Sequence, residues 1–182
     1  MDRFVVVSGC SGGGKSTLVA ELARRGHVTV AEPGRRIVER ERASGGLALP
    51  WVDLAAFARA AIAMALDDRA ALMAEDDPAS GAAPVFFDRG LVDAAAALEH
   101  ASGEKVLEDL AAAHRYNPLV FMTPPWPEIY TQDPGRRHGF QDALAEYERL
   151  LVAYPAHGYE VVPVPRTSVS ARADFVLERL GL

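Results

Sequence analysis

Gly9-Cys10-Ser11-Gly12-Gly13-Gly14-Lys15-Ser16-Thr17 is the stretch whose reading decides the fold. It fits a phosphate-binding loop, G-x-x-x-x-G-K-[ST], with Gly9, Gly14, Lys15 and Ser16 at the defining positions. Upstream, Arg3-Phe4-Val5-Val6-Val7-Ser8 reads as a short buried strand. Downstream, Lys15–Arg25 reads as a helix. Glycines let the main chain curl until several N–H groups face one phosphate, and the helix N-terminus adds positive potential. The residues from Gly9 to Thr17 are therefore expected to wrap a nucleoside triphosphate. Lys15 would reach its β- and γ-phosphates and the Ser16 hydroxyl would ligate Mg²⁺.

The 182 residues, 49% hydrophobic and 24% charged, suit one globular domain over 1–182. A net charge of −6, with no Lys/Arg run longer than two, is a poor footprint for nucleic acid. No apolar run is long enough to span a bilayer, and the chain reads straight into a strand with no leader pattern. The single cysteine, Cys10, forbids an internal disulfide and fits a reducing compartment, so a cytoplasmic protein is expected. Its oligomeric state is not legible.

Five β-type runs alternate with helical patterns. The runs are Phe4–Ser8, Val28–Ala31, Val85–Asp88, Leu119–Thr123 and Tyr159–Val164. Helical spacing covers Lys15–Arg25, Pro33–Ala43, Asp53–Glu75, Leu91–His100, Glu104–Arg115, Phe140–Ala153 and Ser168–Leu180. Such alternation predicts a three-layer α/β/α fold on a five-stranded parallel sheet, with ligands beyond the carboxyl ends of the strands. Residues 124–139, rich in Pro, Gly and charge, read as a lid; Asp76–Pro84 reads as a surface connector.

Polar residues follow several strand ends. Asp88, closing Val85-Phe86-Phe87-Asp88, is placed to organise Mg²⁺ beside the loop, or alternatively to cap the helix near Leu91. Arg89 can clamp substrate oxygens or form a surface ion pair. Glu32, followed by Pro33-Gly34-Arg35-Arg36, is a candidate base for an acceptor hydroxyl, or an exposed acid at a helix start. Of Arg35 and Arg36, one is expected to face substrate and the other solvent. In the lid, Arg136 and Arg137 can neutralise charge on the transferred group, or belong to a solvated turn. Trp51 is a weak pocket-wall candidate, Asp93 faces either the site or water, and Ser168 is an expected N-cap. The five histidines show no metal-ligand spacing.

With Gly9–Thr17, Glu32-Pro33-Gly34-Arg35, Phe87-Asp88-Arg89-Gly90, the lid arginines and Val162-Pro163-Val164-Pro165 in this order, the chain resembles the P-loop kinases. More narrowly, it is similar to the AAA-type ATP-binding domains that include ribosylnicotinamide kinase domains. The resemblance implies a strand order of 2-3-1-4-5, Glu32 as acceptor-side base or substrate ligand, Arg89 as a substrate clamp, and Arg136 and Arg137 as the lid. Gly90 departs from the deoxynucleoside kinases, which carry a bulkier or hydroxylated residue there. The function expected is an ATP- and Mg²⁺-dependent transfer of phosphate to a small hydroxyl-bearing metabolite, a nucleoside or nucleotide. A nucleotide-binding regulatory module and a simple ATPase are the competing readings.

Overall fold

The computed structural model describes residues 3–74, 83–130 and 139–182. Its five strands are β1 (Phe4–Gly9), β2 (Val28–Val30), β3 (Val85–Asp88), β4 (Leu119–Thr123) and β5 (Glu160–Pro163), all parallel, in the order β2-β3-β1-β4-β5. Both the expected architecture and the expected strand order hold. β1 runs down the middle because both of its faces are apolar. Phe4 and Val6 enter one core with Val85, Phe87, Val120 and Met122, while Val5 and Val7 enter the other with Phe86, Phe121 and Val162. A strand covered on both faces needs this unbroken apolar run.

Seven α-helices accompany the sheet among the described residues. Helix α1 (Lys15–Arg24) and α7 (Val169–Arg179) close the second core through Leu18, Leu22, Ala173 and Val176. Helices α4 (Leu91–Ser102), α5 (Leu107–Ala113) and α6 (Phe140–Ala156) close the first, with Ala65 of α3 (Leu54–Ala74) beside them. Helix α2 (Pro33–Ser44) buries Ile37 and Val38.

Boundaries differ where side chains intervene. α5 begins at Leu107 rather than Glu104 because Glu99 of α4 accepts the Val106 and Leu107 amides, each at 3.1 Å, and so caps it from outside. α6 runs on through Pro155, which lies in the last turn. Within the lid stretch, Pro127–Ile129 forms a 3₁₀ turn, and Tyr130 packs edge-on against Phe140 at 5.2 Å. Residues 131–138 of that stretch, and 75–82 of the expected connector, lie outside the described residues.

Candidate active site

The loop at the end of β1 is built by glycines that nothing larger could replace. Gly9 has φ +121°, and a Cβ there would lie 2.3 Å from the Thr123 carbonyl oxygen. Cys10 N–H donates to that same oxygen at 3.0 Å, tying the loop to the end of β4. Gly14, left-handed at φ 78°, starts α1 with no side-chain cap, so the amides opening the helix are free to meet an anion. Lys15 is buried, its ammonium donating to the Gly9 carbonyl at 3.1 Å and the Cys10 carbonyl at 2.9 Å. Burial first, then the charge of Arg89, lowers its pKa. The Cys10 side chain is fully buried against the Ala143 carbonyl of α6, which makes it a packing residue.

Asp88 ends β3, the strand paired with β1, and Ser16 Oγ donates to its Oδ2 at 2.8 Å. Its other oxygen, Oδ1, is buried with no hydrogen-bond partner among the described residues. Burial, then the Glu32 carboxylate, raises the Asp88 pKa. An orphaned carboxylate oxygen beside a hydroxyl is a donor set that suits Mg²⁺, which binds few protein oxygens and keeps the rest for phosphate and water. The N-cap of α4 is Gly90, whose N–H donates to Asp93 Oδ2 at 2.9 Å, so the alternative capping role falls to Asp93 and not to Asp88.

Arg89, at φ 70°, is the one described non-glycine residue in the left-handed region. The cause of this strained backbone is visible in what it aims. The guanidinium reaches Glu32 through Nε at 3.1 Å, Asp93 through one terminal nitrogen at 3.1 Å and Glu146 through the other at 3.2 Å. Burial opposes its charge, but Glu146, Glu32 and Asp93 overcome that and raise its pKa well above the ordinary value. Asp93 faces inward rather than to water. It accepts from Ser8 Oγ at 2.5 Å and from the Tyr154 hydroxyl at 2.5 Å, so one carboxylate joins β1, the β3–α4 turn and α6.

Burial also works against the Glu32 carboxylate. Arg89, Lys15 and Arg35 together outweigh it and hold its pKa below the usual range. Arg35 Nε donates to Glu32 Oε2 at 3.3 Å, whereas Arg36 turns away to Asp68 of α3 at 2.6 Å. Arg35 thus lies on the cavity side, and Arg36 pairs with an acid of α3 rather than standing in open water. A cavity of 650 Å³ opens beside these groups, lined by Ser11, Glu32, Arg35, Arg89, Glu146 and Phe57 among others, with alanines of α3 and α4 along its walls.

The fold thus brings together Lys15, Ser16, Glu32, Arg35, Asp88 and Arg89. Arg136 and Arg137 lie outside the described residues. Trp51 does not line the cavity; its ring lies under the Arg42 guanidinium at 5.3 Å. Ser168 caps α7 as expected, accepting from Ala171 N–H at 3.3 Å. Sequence reasoning missed Glu146, Tyr154 and Arg172. Glu146 lies on α6 six residues after the start of the helix, with only helical periodicity around it, so no local signal distinguishes it. Arg172, in α7, donates to the Gly13 carbonyl at 3.3 Å and the Gly14 carbonyl at 2.8 Å.

A family model described as "AAA domain" matches residues 4–172. The chain belongs to the AAA domain family. This AAA domain has the P-loop kinase fold, and it is similar to solved structures that share it. One is a deoxyadenosine kinase from M. mycoides with bound dATP, at TM-score 0.64 and 15% identity over 99% of this chain and all of that one. Another is NadR protein in complex with NR, at TM-score 0.73 and 21% identity; this chain covers 52% of its length. A third is shikimate kinase from Acinetobacter baumannii in complex with shikimate, at TM-score 0.58 and 16% identity over 98% of this chain and 92% of that one. No curated protein matches this AAA domain by sequence. None of its described helices is long and apolar enough to cross a membrane.

Proposed function

We propose that the chain, as a single domain, is an ATP- and Mg²⁺-dependent phosphotransferase acting on a hydroxyl of a small metabolite, a nucleoside or nucleotide. The observation that carries this is the meeting of two sites. Ser11 of the phosphate loop and Glu32 line the same 650 Å³ cavity, so a triphosphate on the loop and an acceptor in the cavity would share one border. The solved neighbours are named as kinases or as binding NR, which supports the same class.

On this reading the loop amides and Lys15 bind the polyphosphate, and Ser16 with Asp88 holds Mg²⁺, which would neutralise charge on the phosphate oxygens. Glu32 is ionised at neutral pH because its pKa is held low. Both of its oxygens already accept from arginines, but a carboxylate has lone pairs to spare for an acceptor hydroxyl. A weak base suffices, since phosphoryl transfer depends mostly on positioning and charge stabilisation. Arg89 and Arg35 fix Glu32 and border the acceptor. Residues 124–139, with Arg136 and Arg137, serve as a lid that excludes water. A reducing cytoplasm suits the single cysteine.

The test is incubation of the pure chain with labelled ATP, Mg²⁺ and a panel of nucleosides, nucleotides and other small alcohols. Label should move to at least one acceptor. Label released only as inorganic phosphate, whatever is added, would establish an ATPase; no movement alongside tight ATP binding would favour the regulatory module.

A further inference from the structure

Arg172 is 98% removed from solvent, on a helix the sequence offers no reason to connect with phosphate chemistry. No acidic side chain among the described residues pairs with it, and burial alone depresses its pKa. Its guanidinium donates to two consecutive loop carbonyls, Gly13 and Gly14, and lies over the Trp126 ring at 5.7 Å. A Cβ on Gly14 would come within 2.8 Å of it, so the loop glycine also makes room for this contact.

A buried cation with carbonyl partners but no counter-charge is unfavourable unless something supplies the charge. The hydrogen bonds also have a direction. Every described peptide bond is trans, so each N–H points away from the C=O of its own unit. The Gly13 carbonyl shares its peptide with the Gly14 amide, and the Gly14 carbonyl shares its peptide with the Lys15 amide. Drawing both carbonyls toward α7 turns both amides the other way, into the concave side of the loop.

We infer that Arg172 is a positioning residue of the triphosphate site, aiming the Gly14 and Lys15 amides at the phosphates and supplying from behind the loop a positive charge that no described acidic side chain neutralises. This rests on the proposed triphosphate site and adds to it a residue outside the loop. It makes the last helix part of the donor machinery: α7 carries the guanidinium, Trp126 flanks it, and Gly14 leaves space for it. The contribution is to phosphate and not to base, because among the described residues the side-chain hydrogen bonds of Arg172 go to loop carbonyls.

The experiment is calorimetric titration of the wild-type chain, Arg172→Met and Arg172→Lys with two probes, ATP–magnesium and tripolyphosphate–magnesium. Arg172→Met should weaken both probes by the same factor, about ten-fold or more, and Arg172→Lys, which keeps the charge without the forked donors, should fall between it and wild type. Loss of ATP affinity with tripolyphosphate unchanged would assign Arg172 to the base through Trp126 and overturn the inference. Unchanged affinity for both, even with a lowered melting temperature, would reduce Arg172 to a structural tie and also overturn it. If Arg172→Met does not fold, Arg172→Lys alone decides: equal weakening of both probes sustains the inference, and wild-type affinity defeats it. Wild type that binds neither probe would defeat the triphosphate site itself, a failure separate from these.

Discussion

Arg89 and Arg172 are both deeply placed guanidinium groups beside the phosphate loop, and their surroundings are opposite. Arg89 is enclosed by three carboxylates, those of Glu32, Asp93 and Glu146. Arg172 has two backbone carbonyls and an indole face. A cation saturated by acids has little charge left for a ligand but great power to hold those acids in place. A cation given only carbonyls keeps its charge for an incoming anion. On the proposed reading, acceptor side and donor side use the same side chain for different ends: one to organise carboxylates, the other to organise amides.

The strongest way to break this division is on the donor side. Lys15→Ala should cut phosphate transfer by about 10²–10³-fold or more. It should cost the unliganded fold little, because Lys15 is a buried ammonium whose hydrogen bonds are two carbonyls. Steady-state transfer and urea unfolding of the same preparation check both halves; a variant that unfolds would show that the ammonium is structural.

Next comes the acceptor side. Glu32→Gln should lower transfer by about 10²-fold while ATP affinity, measured by calorimetry, is retained. Arg89 keeps Asp93 and Glu146, so the clamp itself should survive. If transfer were undiminished, Glu32 would be a holder of Arg89 and nothing more.

Asp93→Asn tests the knot behind the clamp. The amide keeps the shape but loses the charge facing Arg89 and one acceptor for Ser8, Tyr154 or Gly90. Unfolding free energy should fall by about 1–3 kcal/mol, as for a buried polar group left partly unpaired. Turnover should drop more than ATP affinity, since the defect is passed on through Arg89. A fall in stability with normal turnover would leave Asp93 as a structural carboxylate only.

The smallest effect concerns arginines in neither setting. Glu21 on α1 is gripped at the surface by Arg24 and Arg25, whose hydrogen bonds bring its pKa to about 2 from an ordinary 4.5. A folded pKa below the unfolded one gives stabilisation that is present above about pH 4.5 and lost as pH falls toward 2. The melting temperature of Glu21→Gln should therefore converge on that of wild type across this acid range and differ slightly from it at neutral pH. A constant offset at every pH would contradict the shift.

Much of the fold was readable from the chain, because strand–helix alternation and an apolar run such as Phe4–Val7 leave few packings for a parallel sheet. The loop glycines were equally legible: a phosphate wrapped by amides demands backbone conformations that side chains forbid, so the requirement is written locally as Gly9, Gly14 and Lys15. The carboxylates at strand ends, Glu32 and Asp88, could be read for the same reason, since the end of a parallel strand is where a ligand sits.

What the chain alone could not show is every contact whose partners are far apart in sequence. Glu146 is 57 residues from Arg89, and Arg172 is 158 from Gly14. Neither carries a local pattern, because an arginine or glutamate on a helix face looks alike whether it meets water or a buried counterpart. Whether Asp93 turns inward, which of Arg35 and Arg36 meets Glu32, and which cation has no acid beside it among the described residues are questions of charge in three dimensions. Local sequence dictates which backbone shapes are permitted; only the packed chain dictates which charges are cancelled.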